Sequence, residues 1–390
     1  MSTSRPPLLF YCQHSLGLGH LTRSFALCEE LARRFRVVLL CGGKLPPAKR
    51  PPAGVEVLAL PALGAAIDGR LISHDRRRSL ERVCRLRREK IVEIFRSLRP
   101  EAVLIEFFPF GKRRFAQELI PLLDEAASLG PSAPIVVSSV RDILVGRGAD
   151  QEEFDDRASE LANRYFDAVL VHSDPDFVRL DESFRPRTPM HTPAYYTGFV
   201  ASRAAPPNGH GVRRDLVVSA GGGIAGGFLM RSAVAAQEGL GDLPVRIITG
   251  PFFPTDDWRS MQRQAAGRRN LVLKRSVPNL GTELATARAS VSQCGYNTAL
   301  DLMQAGIPAL VVPFAENGED EQTKRARLLE RFDAVRVLDP ARLNAVSLAK
   351  EIRSLLRFRP RRLSFDLYGA PNTLRIMTEL HADRFGKKAS

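Results

Sequence analysis

The segment from Ala289 to Leu328 leaves few folds open to this chain. An apolar run, Ala289 to Ser292, enters Gly295, and the spacing predicts a helix from about Thr298 to Ala305 that stops at Gly306-Ile307-Pro308. A second apolar run, Ala309 to Val312, leads into an acidic loop and another helix. A strand-helix-strand-loop-helix order of this kind requires a parallel sheet. It sets three polar groups at the carboxyl edge of that sheet: the Asn297-Thr298 turn, Asp301, and the cluster Glu319-Asp320-Glu321-Gln322. Open α/β sheets bind ligands at that edge. Carboxylates and amides there suit a hydroxyl-rich ligand, because they accept and donate paired hydrogen bonds.

The same alternation recurs along the chain. In the first half strands are expected at Leu8–Cys12, Val37–Cys41, Val55–Leu60, Ala102–Glu106, Ile135–Ser139 and Ala168–His172, with helices near 21–34, 76–99, 112–128 and 152–165. The second half restarts at Leu216–Ala220 and continues through Val245–Thr249, Leu271–Leu273, Ala289–Ser292, Ala309–Val312 and Val335–Leu338. Helices follow near 343–356 and 371–384. Between the halves, residues 201–211 (ASRAAPPNGHG) are small residues and breakers without apolar period, which reads as a linker. We therefore expect two α/β domains with doubly wound parallel sheets. They are an N-terminal one over 1–200 and a C-terminal one over 212–365, with a last helix within 366–390.

At 390 residues and 44% apolar content the chain is long enough for two such cores. Five scattered cysteines show no metal-ligand spacing, as expected for reduced thiols in the cytoplasm. The apolar run Leu8–Cys12 is too short for a secretory signal, and no run approaches the roughly 20 residues of a spanning helix. A soluble protein, at most peripheral to a membrane, is expected. The formal charge of +14 is uneven: residues 76–99 hold ten Lys/Arg against three Glu. Leu80, Val83, Cys84, Ile91, Ile94, Phe95 and Leu98 give that segment an apolar stripe, so its basic side is expected to face outward. Such a face attracts anionic lipid or any polyanion, or is simply solvated.

Four places carry chemistry. After the first strand, Gly17-Leu18-Gly19-His20 opens a helix; glycines admit a ligand to the backbone, and helix-start amides favour an anion. An imidazole there suits removal of a proton from a hydroxyl or water, although it could merely brace the loop. Glu106 closes a strand before Phe107-Phe108-Pro109-Phe110, placed to bind or activate a hydroxyl. Arg141 follows another strand, where it would meet acceptor or phosphate or form a plain ion pair. In the second half Gly221-Gly222-Gly223 turns a strand into a helix. It lacks the Lys-Ser/Thr of a P-loop and the spacing of dinucleotide folds, yet its amides suit a phosphate.

Taken together, Gly295-x-Asn297-Thr298-x3-Leu302, Ala305-Gly306-x-Pro308-x4-Pro313 and Glu321-Gln322-x2-Arg325-Ala326 resemble the donor-binding half of MurG-like GT-B glycosyltransferases of family 28. The pattern Gly17-x-Gly19-His20-x2-Arg23 also looks like related nucleotide-sugar hydrolases. The resemblance is specific over residues 215–330 and moderate over 8–25. It implies a GT-B fold and a nucleotide-sugar donor, a UDP-sugar foremost. The acceptor would be lipid-linked or a polysaccharide, and the last helix would cross back onto the N-terminal domain. Carried over residue by residue, the Gly221-Gly222-Gly223 loop would cradle the phosphate through its amides, and Gly295, Asn297 and Thr298 would belong to the donor-binding site. Asp301 would hold the ribose, Val277 would lie in the base-recognising turn, and Glu321 and Gln322 would face the donor sugar. Asp301 is shorter than the Glu usual there, and Gly223 stands where a Ser is usual. Neither a cofactor nor an obligatory metal is expected, because no Asp-x-Asp motif stands where a metal-dependent enzyme needs it. The expected activity is inverting sugar transfer. A nucleotide-sugar hydrolase or epimerase of the same fold is the alternative, and a non-catalytic polyanion- or nucleotide-binding protein a more distant one.

Overall fold

The computed structural model describes residues 5–14, 19–45, 49–65, 70–75, 77–201, 213–222, 226–315 and 320–386. Gly17, Gly223, Glu319 and all but the first residue of the 201–211 linker lie outside the described residues.

The chain divides into two units, the first holding Met1–Leu16, His20–Ala201 and Phe365–Ser390. Its strands are β1 (Pro7–Cys12), β2 (Arg36–Cys41), β3 (Glu56–Ala59), β4 (Leu63–Ala65), β5 (Leu71–Ser73), β6 (Ala102–Glu106), β7 (Ile135–Arg141), β8 (Ala168–His172) and β9 (Ala194–Tyr196). Its first four helices are α1 (Gly19–Leu31), α2 (Leu80–Leu98), α3 (Ala116–Ser128) and α4 (Gln151–Tyr165). β4 and β5 form a small antiparallel hairpin; the other seven strands make one parallel sheet in the order β3-β2-β1-β6-β7-β8-β9. Every residue of β6 and of β8 is buried, the pattern of strands covered by helices on both faces. The strand order reverses between β1 and β6, so the loops after these two diverge and leave a crevice at the carboxyl edge.

The second unit, Ser202–Ser364 in the main, repeats the plan. Its strands β10 (Leu216–Ser219), β11 (Val245–Ile248), β12 (Leu271–Lys274), β13 (Ala289–Ser292), β14 (Ala309–Val311) and β15 (Arg336–Val337) are all parallel, in the order β12-β11-β10-β13-β14-β15. Around them lie α5 (Gly227–Ala236), α6 (Thr255–Ala265), α7 (Leu280–Ala285), α8 (Tyr296–Ala305), α9 (Glu321–Arg331) and α10 (Ala345–Leu355). Here the order reverses between β10 and β13.

The last helix, α11 (Gly369–Phe385), belongs to the first unit. Asn372 donates to Thr197 O at 2.8 Å, His381 Nε2 lies 2.5 Å from Glu101, and Arg384 pairs with Asp167. A Cβ at Gly369 would fall 2.6 Å from the Gly198 carbonyl oxygen, so only glycine lets the helix start this close.

Several details depart from the sequence reading. α8 begins at Tyr296 rather than Thr298, because Gly295 itself takes the extended N-cap conformation (φ −64°, ψ 155°). Asn297 and Thr298 are thus in its first turn, although both are weak helix formers that more often cap one. Arg141 is the last residue of β7, paired in register with His172, and does not follow the strand. On α2, Arg87 points inward rather than to the basic outer face: it is fully buried, donating to Glu118 at 2.6 and 2.7 Å and to Gln13 at 2.8 Å. A guanidinium on an apolar stripe needs such a carboxylate, since a buried unpaired charge costs several kcal/mol, on the order of 3–5. The hairpin β4–β5 and the edge strand β9 were not anticipated; each is three residues long, too short to show a period.

Candidate functional site

In the first unit, the carboxyl edge at the reversal point gathers five polar side chains. Glu106 ends β6 with no exposed surface, and its Oε1 meets His20 Nδ1 at 2.5 Å. Arg23, three residues further along α1 and 2% exposed, donates to the same oxygen. Residues three apart on a helix share a face, which is why one carboxylate reaches both. Phe107 covers the pair, its ring 5.8 Å from that of His20, and the Arg141 guanidinium lies 5.0 Å from the centre of Phe107. Lys112 Nζ closes the far side by donating to Gln13 O at 2.6 Å. The connecting loop is strained: Phe107 and Lys112 hold left-handed backbone angles of φ 67° and 59°. Such angles cost side-chain-bearing residues about 1–2 kcal/mol each and concentrate at functional sites.

Electrostatics assign the protons. Burial pushes the Glu106 carboxyl up, but His20, Arg23 and Lys112 outweigh it and hold the group well below the usual carboxylate range. Burial lowers the His20 pKa, opposed by Glu106 and assisted by Lys112 and Arg141. The ring keeps 23% of its surface in solvent, which moderates the effect without reversing it. A neutral imidazole beside an ionised carboxylate carries its proton on Nδ1 and leaves the Nε2 lone pair free. This is the arrangement of a general base oriented by a carboxylate.

Behind the pair lies a second, buried chain. Thr197 Oγ1 donates to Gly198 O at 2.8 Å and so accepts from His172 Nδ1 at 2.8 Å. His172 Nε2 then accepts from Ser139 Oγ at 2.7 Å. His172 is fully buried, and burial holds its pKa far down, so it braces the end of β8 as a neutral ring.

The second unit builds a different site at its own reversal point. Gly221, just after β10, has φ +57°, and a Cβ there would sit 3.7 Å from Thr298 Oγ1 in the first turn of α8. The glycine turn and the amino end of α8 therefore line one crevice. Gly222 is held there as its carbonyl accepts from Phe252 N at 3.2 Å. Gly295 caps α8, Asn297 is half-buried, and Thr298 and Asp301 are 7% and 9% exposed. Gln322, in the first turn of α9, uses its Oε1 to accept from Cys294 N at 3.0 Å and Phe314 N at 3.1 Å. The oxygen is thereby committed to the loops after β13 and β14. Glu321 is buried and pairs with Arg325 at 3.2 Å, and Arg325 donates to Cys294 O at 2.9 Å. Both neighbours thus clamp the turn from Cys294 to Tyr296. Val277 lies half-buried in the loop after β12, two strands from β10.

The sequence reading left out Arg23 and Arg325 as site residues. Each had a signal: an arginine at a helix position whose neighbours at three or four residues are apolar (Leu27 after Arg23; Leu329 after Arg325) needs a buried partner.

Comparison with known proteins places the chain. Residues 229–365 match the Glycosyltransferase family 28 C-terminal domain. A UDP-N-acetylglucosamine–N-acetylmuramyl-(pentapeptide) pyrophosphoryl-undecaprenol N-acetylglucosamine transferase of Zymomonas mobilis is 27% identical over 155 residues, 38% of this chain and 39% of that protein. The protein of that name from Methylococcus capsulatus is 39% identical over 75 residues, 19% of this chain and 21% of its own length. The matches thus span well under half of these relatives. Among solved structures, Acinetobacter baumannii MurG superposes with a TM-score of 0.59 at 14% identity, covering 96% of this chain and 100% of that one. Phytolacca americana UGT2, complexed with UDP-2-fluoro-glucose and pterostilbene, does so at 0.60 and 15%, covering 98% and 95%. The fold is GT-B.

Proposed function

We propose that this chain, GT-B in fold with a family-28 type C-terminal domain, transfers a sugar from a UDP-sugar to an acceptor hydroxyl with inversion. The observation that carries the reading is the meeting of the Gly221 turn with the first turn of α8, which forms a cradle of backbone amides at a sheet reversal point. The donor diphosphate binds there, its charge met by amides and the helix dipole rather than by a metal. Asp301 reaches the ribose, and the loop carrying Val277 recognises the base. Gln322 keeps its amide NH2 for the donor sugar, since its oxygen is spent on Cys294 and Phe314.

In the reaction, His20 Nε2 takes the proton of the acceptor hydroxyl as the hydroxyl oxygen forms its bond to the anomeric carbon. The bond from that carbon to the diphosphate oxygen breaks, and its electron pair leaves with UDP. Glu106 stabilises the imidazolium as it forms. The names of the sequence relatives favour N-acetylglucosamine as the sugar and a lipid-linked acceptor. The described residues include no helix long and apolar enough to cross a membrane, so such an acceptor would be met at a membrane surface.

The test is donor-dependent transfer with a panel of UDP-sugars and isolated acceptors. Formation of UDP only when an acceptor is present supports transfer. UDP released at the same rate without acceptor assigns the dyad to water instead, making the protein a nucleotide-sugar hydrolase.

A further inference from the structure

Arg23 occupies a place that the reaction above does not use. It lies on α1 one turn beyond His20, is 2% exposed, and donates to Glu106 Oε1, the oxygen that also holds His20 Nδ1. An arginine is the costliest side chain to bury, and a ring-bearing or aliphatic residue would fill the same volume. We propose that Arg23 is a positioning residue that keeps Glu106 ionised and correctly aimed, so that the Nδ1 proton of His20 stays on the ring and Nε2 stays a base. This inference rests on the reading of His20 as the base.

One oxygen, Glu106 Oε1, links the three side chains. A carboxylate and an imidazole alone in a dry pocket divide a proton between them, because a buried carboxylate prefers to be neutral. A guanidinium on the same oxygen removes that choice: its charge is permanent, and it favours the anionic carboxylate. It also opposes a second positive charge on His20, which favours the neutral ring in the resting protein. The other charged or titratable groups that face the pair are Lys112 in the loop after β6, Arg141 at the end of β7, Cys12 at the end of β1 and His172 at the end of β8. Lys112 donates to a backbone carbonyl, and the guanidinium of Arg141 lies against Phe107. His172 is kept neutral, and burial raises the Cys12 thiol far above its ordinary value. Arg23 and His20 both donate to the same carboxylate oxygen.

The chain holds seven histidines, few enough for nitrogen-15 imidazole spectra, with His20 assigned by its loss in His20→Asn. Wild-type protein should show the Nδ1–H tautomer at His20 throughout pH 5–9. In Arg23→Gln, which keeps a donor but no charge, the tautomer should mix or the titration midpoint should move by at least about one pH unit, tenfold in proton affinity. Arg23→Lys should return both toward wild type. If Arg23→Gln and Arg23→Met, folded by near-ultraviolet circular dichroism, keep the wild-type tautomer and midpoint, the proposal is overturned. A merely structural arginine would lower melting temperature in both variants and leave the His20 spectrum unmoved, which also overturns it. The spectra need no turnover, so they stand apart from the base assignment: that fails separately if His20→Asn retains full transfer.

Discussion

Glu106 is the residue on which the N-terminal site depends. It is fully buried, yet it stays charged because a guanidinium and the Nδ1–H of a neutral imidazole both donate to one of its oxygens. Replacing it by Gln removes the charge that steadies the imidazolium, and Glu106→Gln or His20→Asn should lower transfer by about 10²–10⁴-fold. UDP affinity should be unchanged in both, because the groups proposed to hold UDP lie in the other unit; titration calorimetry beside steady-state rates separates the two effects. The pH dependence follows from the same contacts. His14, His20 and His172 all have pKa values lowered in the folded protein, to about 4 for His14, with burial as the main cause. A group whose folded pKa lies below its unfolded value near 6.5 binds fewer protons when folded. Its contribution is therefore fully present above pH 6.5 and is lost as pH falls through that value toward the folded pKa. Glu106, also depressed, acts in the same direction at lower pH. Urea midpoints should thus fall between pH 7 and pH 4, and the acid limb of transfer should lie below the ordinary histidine range. An acid limb at 6.5 or above would contradict the assigned environment of His20. Much of this was legible in the sequence: a histidine after a glycine turn and a carboxylate ending a strand mark a sheet edge. Their direct contact, 86 positions apart, was not legible, since the sheet order brings β1 beside β6 and no periodicity encodes strand order.

At the scale of elements, the C-terminal site is an arrangement of loop ends pinned by α9. Gln322 illustrates why its replacement must be chosen with care. Gln322→Ala leaves the amides of Cys294 and Phe314 without their acceptor, each costing about 1–3 kcal/mol, so lost activity would not distinguish fold from chemistry. Gln322→Glu keeps the oxygen acceptor and replaces the NH2 by a carboxylate oxygen, exchanging its donors for a negative charge. It should melt within a few degrees of wild type while losing about tenfold or more in donor-sugar discrimination, measured as the ratio of UDP-sugar to UDP affinity. Glu321, expected from resemblance to face the sugar, is held by Arg325; Glu321→Ala should destabilise the second unit by about 1.5–3 kcal/mol, read by chemical denaturation, because it removes a charged hydrogen-bond partner from a buried guanidinium. The strand-helix order around this site was readable from apolar runs and breakers. The start of α8 was misjudged by two residues because the cap was a glycine in extended conformation rather than the Asn or Thr that usually serves.

Across the whole molecule, two sheets with the same reversal in strand order each bring polar groups to one edge. The first sheet is completed by α11, from the far end of the sequence. That helix buries Thr373, Ile376 and Met377 and joins Glu101 and Asp167 through His381 and Arg384. Ending the chain at residue 364 should therefore make the N-terminal unit susceptible to limited proteolysis while the C-terminal unit resists. Equal resistance in both would contradict the role given to α11. The central claim is that the glycine turn and the amino end of α8 hold a nucleotide diphosphate. Calorimetric titration of UDP into the wild-type chain and into Gly221→Val tests it most directly, since valine cannot hold φ +57° without strain and narrows the crevice toward Thr298. The account predicts saturable one-to-one binding by wild type, unaltered by EDTA, and loss of at least about a hundredfold in affinity in the folded variant. No binding by the folded wild type, or equal binding by both, would contradict it.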